Sequence, residues 1–300
     1  MCDEIIYVLP EKHIQECEFV DEYVLCPNGI KRKIPIYKIN GYNGLTQIIG
    51  YAQYVNKNKK VLYRGQKNLH DMMMPSLYRS LTFQPGQNRA WTRLKKIIQN
   101  ALHDAKFAKS TGISRIDSTW QKELALESLL QHYGMSTRCI DVVDNHWIAL
   151  WFGNYDFQSR EQDSGLYGKY AVRIDNNEYQ YIILFAVSRT IKFLNGEQAP
   201  RSMYAVDLRN ILPSTYLRPH AQHGWVIRNG TIPLCDDKGM AENVIGILKI
   251  RVAQARQWLG DGRLLTVSNL FPSPMIDQGY EIFLSREDLF GKNAIMRYVY

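Results

Sequence analysis

Gln131-His132-Tyr133-Gly134-Met135-Ser136-Thr137-Arg138-Cys139-Ile140-Asp141, followed by Asn145-His146-Trp147-Ile148-Ala149-Leu150-Trp151-Phe152, is where the chain changes character. Before it, residues 88–108 and 118–132 carry helical spacing. Asp117 or Ser118 is placed to cap the second of these and Gly134 to end it. Residues 145–152 read as a short apolar helix with Trp147, Ile148 and Trp151 inward. After residue 153 the runs at 167–174, 179–188, 223–228, 244–252 and 280–284 are rich in Val, Ile, Tyr and Phe. They predict strands, with Asp175-Asn176-Asn177 as the turn between the first two. Helices therefore fall mainly in the first half and an antiparallel or mixed sheet mainly in the second. That segregation predicts an α+β fold rather than alternating βαβ units.

Working outward to the N-terminus, residues 18–39 predict a β-hairpin around Asn28-Gly29, a strong type I′ turn signal. Leu45, Ile48, Ile49, Ala52 and Val55 have helical spacing, and Lys59 to Arg64 reads as a strand running into Gly65. The expected division is an N-terminal hairpin extension over 1–44 and one α+β domain over 45–300.

The 300 residues are 45% hydrophobic and 22% charged, ordinary for a globular chain able to bury a core without staples. Nineteen Tyr and six Trp supply a large core or rings for stacking. A formal charge of +8 attracts polyanions in general, nucleic acid and nucleotides included, but Lys57, Lys59 and Lys60 are the nearest approach to a basic run. Cys2, Cys17, Cys26, Cys139 and Cys235 are scattered with no Cys-x-x-Cys pair, so no metal site is expected and reduced thiols in a cytoplasm are. Met-Cys-Asp-Glu does not open like a secretory signal, and no window approaches the roughly 18 apolar residues of a membrane span.

Polar chemistry concentrates in a few segments. In Tyr63-Arg64-Gly65-Gln66 a strand-end guanidinium, a planar fork for phosphate or carboxylate, sits beside a glycine that admits close approach. A structural pairing of Arg64 with a carboxylate such as Asp141 reads equally well. Ser76 can cap a short helix while Arg79 reaches the pocket of Arg64 or lies in solvent. Arg138 and Asp141 can pair to shape the loop after the helix, or join His132, Tyr133 and Thr137 in a site. Glu123 and Glu127 lie one turn apart. Gln222 ahead of Gly224-Trp225 either binds a ligand hydroxyl or carboxamide, or satisfies a neighbouring backbone while Gly224 forms a bulge.

These segments resemble the FRG domain, a family named for a (Phe/Tyr)-Arg-Gly signature matched here by Tyr63-Arg64-Gly65. Pro75-Ser76-Leu77-Tyr78-Arg79, Glu127 ahead of Gln131-His132-Tyr133-Gly134, and Ala221-Gln222-His223-Gly224-Trp225 are similar to further family elements. Family members often read Thr-Arg-Leu-Leu-Asp-Trp-Thr where this chain has Thr137-Arg138-Cys139-Ile140-Asp141-Val142-Val143, so an indole and a hydroxyl give way to valines. The order of an Arg-Gly strand, a Thr/Arg/Asp segment before a helix, and a Gln-bearing strand is reminiscent of ADP-ribosyltransferases, a fold-level analogy.

The resemblance implies an ADP-ribosyltransferase-like core and an NAD-dependent transferase or NAD-cleaving effector, a toxin or phage-defence component acting on a protein or nucleic-acid acceptor. It implies NAD as substrate, with Arg64, Thr137, Asp141, Gln222 and Glu127 as catalytic candidates. Tyr63, Gly65, Gln66, Arg79, His132, Tyr133, Arg138 and Trp225 would hold the dinucleotide, with Tyr63, Tyr133 or Trp225 stacking on nicotinamide. The alternative is a non-catalytic module that binds a nucleotide or nucleic acid through the same arginines and aromatics.

Overall fold

The computed structural model describes residues 6–25, 31–70, 73–79, 84–194, 196–230 and 238–299. Two strands come first, β1 (Cys17–Leu25) and β2 (Arg32–Ile39), and pair antiparallel as the expected hairpin. The Asn28-Gly29 turn lies outside the described residues. α1 (Tyr42–Val55) follows and buries Leu45, Ile48, Ile49 and Ala52 on one face, the stripe its spacing predicts. β3 (Lys60–Gln66) carries the Arg-Gly pair. The helical region comprises α2 (Gln84–His103), α3 (Ala105–Ser110) and α4 (Thr119–His132).

α4 ends as the glycine dictates. Gly134 takes φ +104, the amide of Met135 bonds Leu130 O at 2.8 Å, and that of Gly134 bonds Gln131 O at 3.1 Å. This is a Schellman closure, which turns the chain back over the last turn of the helix. The returning segment becomes β4 (Ile140–Val143), so its residues come to lie beside Gln131 and His132. Asn145 then caps α5 (His146–Asn154) by accepting from Trp147 N at 2.9 Å.

The second half holds β5 (Tyr155–Gln162), β6 (Gly165–Val172), β7 (Tyr179–Val187), β8 (Thr190–Ile191) and β9 (Met203–Asp207). After them come α6 (Leu208–Ile211), α7 (Leu217–Ala221), β10 (Gly224–Asn229), α8 (Lys238–Glu242), β11 (Val244–Arg251) and α9 (Val252–Trp258). The chain ends through α10 (Val267–Leu270), α11 (Gln278–Leu284), α12 (Glu287–Phe290) and β12 (Met296–Val299).

The strands form a mixed nine-stranded sheet in the order β1-β2-β11-β7-β3-β4-β10-β9-β8 and a smaller sheet β12-β6-β5. The fold is α+β. The Asp175 turn does form, with Asn177 N donating to Asp175 Oδ1 at 2.8 Å, but it carries the chain from the small sheet to the large one. Residues 280–284, expected as a strand, are instead in α11. Asp277 caps that helix by accepting from Tyr280 N, and Tyr280 and Phe283 bury at helical spacing. The apolar run is too short for its period alone to separate strand from helix; the cap decides.

Register places the side chains. Val61, Tyr63, Ile182, Leu184 and Val143 lie on one face of the large sheet, covered by α1, α5 and α9. On the same face toward β9, Val206 and Val226 meet α2, α3 and α4. Leu62, Ile140, Val142, Ile183 and Phe185 form a separate cluster on the opposite face. Asp141 sits opposite Val226, hence on the helix-covered face at the seam between its two clusters.

Candidate functional site

The site begins with a fault in the sheet. β3 pairs with β7 along its whole length, and β4 pairs with β10 along its whole length. Between β3 and β4 a single pair is made, Tyr63 with Val143. Beyond it the two strands part, and their facing backbone groups need other partners. Arg64 supplies one: its Nη1 donates to the Asp141 carbonyl oxygen at 2.6 Å. The guanidinium thus stands in the gap. It lines two cavities, one of about 180 Å³ and one of about 600 Å³. Burial, and then the neighbouring Arg79, bring Arg64 down to about 10, still charged at neutral pH.

The smaller cavity has a polar floor and an aromatic wall. On the floor, Gln131 Nε2 donates to Asp141 Oδ2 at 2.7 Å. The Gln131 amide is held in that orientation because its Oε1 accepts from Thr137 Oγ1 at 2.7 Å and Ser76 Oγ at 3.3 Å. His132 Nε2 stands 3.4 Å from Asp141 Oδ1, and neither atom has a well-aligned hydrogen bond. The carboxylate is partly open, at 39% exposure, whereas His132 is buried. Burial lowers the His132 pKa; Asp141 opposes that shift and Arg218 adds to it, so the ring is neutral at pH 7. Gly224 makes room for the imidazole, since a Cβ there would come within 2.8 Å of His132 Cε1. The wall is Phe152, Tyr170, Phe271 and Tyr298. Phe271 stacks on Tyr298 at 4.5 Å, and Tyr170 lies parallel to Tyr298 within 3°.

Behind this wall lies Arg218, fully buried. Its Nη1 donates to His132 O at 2.8 Å, and its guanidinium lies over Tyr298, Tyr133 and Tyr280 at 4.4 to 4.6 Å. It holds the His132 backbone in place.

Several expected site residues are elsewhere. Glu127 is wholly buried in an ion cluster: Arg138 reaches it through Nε at 2.9 Å and Nη2 at 2.6 Å, and Arg228 Nη1 stands 3.0 Å away. Arg138 therefore pairs with Glu127, not with Asp141, and its guanidinium stacks on Trp91 at 3.2 Å. Burial alone would raise Glu127, but Arg228 and Arg138 outweigh it and hold it below the ordinary carboxylate range.

Tyr133 is buried, donates its hydroxyl to Asp277 at 2.9 Å, and stacks on Tyr280. Tyr63 borders the small cavity, but its ring is buried in the core and its hydroxyl accepts from Gln53 Nε2 at 2.9 Å. Trp225 packs in the core of the opposite face. None of the three rings is free to stack on a ligand. Gly65 lines the small cavity, yet its close approach is to the protein itself, because a Cβ would lie 1.7 Å from the Ala149 carbonyl of α5. Thr137 is buried and fixes the loop, accepting from Cys139 N at 3.1 Å. Gln222 lines the small cavity but donates to Leu270 O at 2.8 Å, the backbone-satisfying alternative, and Gly224 pairs with Val143 in regular register rather than forming a bulge. Gln66 and Arg79 line the larger cavity.

The residues that sequence reasoning missed are the wall and the two supports, Gln131 and Arg218. Phe271 and Tyr298 are ordinary aromatics in unremarkable local sequence, and no periodicity or motif points to them. Gln131 stood inside the densest polar stretch and its reach to Asp141 followed from the glycine stop.

The class this defines is a mixed α+β domain with a ligand-sized opening at a parted strand pair. Residues 59–162 match the FRG domain, a stretch running from β3 to β5 and including Arg64, His132 and Asp141. Gln222, Phe271 and Tyr298 lie beyond it. No curated protein and no solved structure matches the chain. Among the described residues, no group of three or more His, Cys, Asp or Glu is placed to hold a metal ion, and no helix is long and apolar enough to cross a membrane.

Proposed function

We propose that the chain binds a nucleotide of the NAD type at Arg64 and cleaves its glycosidic bond, passing ADP-ribose to water or to a protein or nucleic-acid acceptor. The observation that carries this reading is a partly open carboxylate, Asp141, set between a buried imidazole, a fixed guanidinium and an aromatic wall. A cavity of about 180 Å³ is well below the roughly 300 Å³ of a typical whole-ligand pocket, so it suits one flat ring. The wall of Phe152, Tyr170, Phe271 and Tyr298 would border that ring.

Cleavage breaks the bond between C1′ of the ribose and the nicotinamide nitrogen. The electron pair leaves with the ring, and positive charge develops on the ribose. Asp141, the partly open carboxylate at the cavity beside the aromatic wall, would stabilise it. The proton of the capturing nucleophile passes to Asp141 or to neutral His132. Of the three carboxylate or amide candidates only Asp141 serves, because Glu127 is consumed by two arginines and Gln222 by Leu270.

The second reading, a nucleotide-binding module without turnover, draws support from that same internal engagement of Glu127 and Gln222. NAD consumption by the purified protein with lysate as acceptor separates the two. Loss of NAD that disappears in folded Arg64→Ala and Asp141→Asn variants supports cleavage. A wild-type protein that binds NAD without consuming it leaves the binding module.

A further inference from the structure

The larger cavity is on the other side of Arg64. Arg64 alternates with Tyr63 along β3, so it lies with Leu62 on the sheet face opposite α5, and Ile140, Met73 and Met74 complete an apolar floor there. Arg79 enters the same cleft from the turn after Pro75. No carboxylate lines the cleft among the described residues.

Arg64 spends Nη1 on the Asp141 carbonyl, and Arg79 spends Nε on Met74 O at 3.2 Å. Neither forms an ion pair with a described residue. Among the described residues, the carboxylate that acts on Arg64 is that of Asp141, and it is held on the other side by Gln131. Two guanidiniums close enough to repel, one of them largely out of water, are an uphill arrangement unless an anion joins them.

We propose that this cleft is a diphosphate site, in which Arg64 and Arg79 each present a planar fork to one phosphate. Two forks carried by two separate elements, over about 600 Å³, fit two linked phosphates better than a single one. The apolar floor accommodates the organic part of the ligand. The proposal rests on the nucleotide reading only for its choice of a small diphosphate over other anions, and it needs no bond cleavage. Arg64 then contacts ligand on both sides of the parted strands, which ties occupancy of the cleft to the position of the guanidinium beside Asp141.

Isothermal titration of the full chain with inorganic pyrophosphate tests this without reference to NAD, because pyrophosphate has no glycosidic bond. The expected result is saturable binding that weakens as salt is raised. Arg79→Ala, a change at an exposed position, should raise the dissociation constant roughly tenfold, while Arg160→Ala on the exposed face of β5 removes the same charge and should not. Arg64→Lys keeps the charge and loses the fork, and should also weaken binding. Equal affinity in Arg79→Ala and Arg160→Ala overturns the proposal, as does absence of pyrophosphate binding in the folded wild type. Binding of a short single-stranded oligonucleotide but not of pyrophosphate overturns it too, in favour of a nucleic-acid backbone. Pyrophosphate binding without NAD consumption sinks the cleavage reading alone.

Discussion

Glu127 and Asp141 are acidic residues fourteen positions apart, each beside arginine, and they have opposite fates. Glu127 is fully buried, and its oxygens receive Arg138 twice through the side chain, Arg138 N at 3.0 Å, and Arg228. Asp141 gives its backbone oxygen, not its carboxylate, to Arg64. Its carboxylate takes one amide from Gln131 and a poorly aligned approach from a neutral imidazole, at the edge of a cavity. A saturated buried charge is structure: nothing is left over to engage a ligand. An undersaturated one, half open to a cavity, is where a ligand adds most. Both residues lie within the stretch that matches the FRG domain, and the match alone does not separate them.

The comparison breaks most visibly at Glu127. Glu127→Ala leaves two buried guanidiniums without their anion and should cost about 3–5 kcal/mol. Urea denaturation of the variant checks it; a loss below about 1 kcal/mol would mean that the cluster is solvated and the contrast with Asp141 false. Gly65→Ala comes next. The added methyl meets the Ala149 carbonyl, so α5 must shift off β3, at about 2 kcal/mol or more. An unchanged melting temperature would show that α5 can move off β3 at no cost.

Asp141→Asn sharpens the contrast from the other side. It should change stability by less than about 1 kcal/mol, because the carboxylate is partly exposed and the replacement keeps its shape. NAD consumption, on the proposed function, should be lost. A strongly destabilised Asp141→Asn would make Asp141 a second structural charge.

The smallest effect is in pH. The folded His132 titrates below its ordinary 6.5, so the unfolded chain takes up the proton first. Its contribution is fully present above pH 6.5 and is lost as pH falls from there toward the folded value. Glu127, held low, contributes above its ordinary 4.5 and that contribution is lost as pH falls through the folded value. Melting curves from about pH 7.5 downward should show the first loss in the wild type and not in His132→Gln, while both proteins share the second. Identical profiles would show that His132 is not buried in its neutral form.

Short-range signals were legible. The helix stop at Gly134, the stripe of α1 and the strand that ends in Arg64-Gly65 each follow from a glycine or a spacing whose physics is local. They put His132, Thr137 and Asp141 in one short stretch around the helix end, and the Schellman turn that folds β4 back over the end of α4 then brings Gln131 to Asp141. The sequence by itself therefore determined which polar residues share a neighbourhood. Only the tertiary structure decided who bonds whom within it. Arg138 goes to Glu127 because Arg228, ninety residues on, arrives from β10 to complete the cluster. Gly65 serves α5 because the helix packs on the strand at contact distance. Tyr133 and Trp225 fill cores, and Phe271 and Tyr298 line the cavity, through crossings that no local pattern encodes. Pairing and burial are set by which distant elements meet, and that is a property of the folded chain.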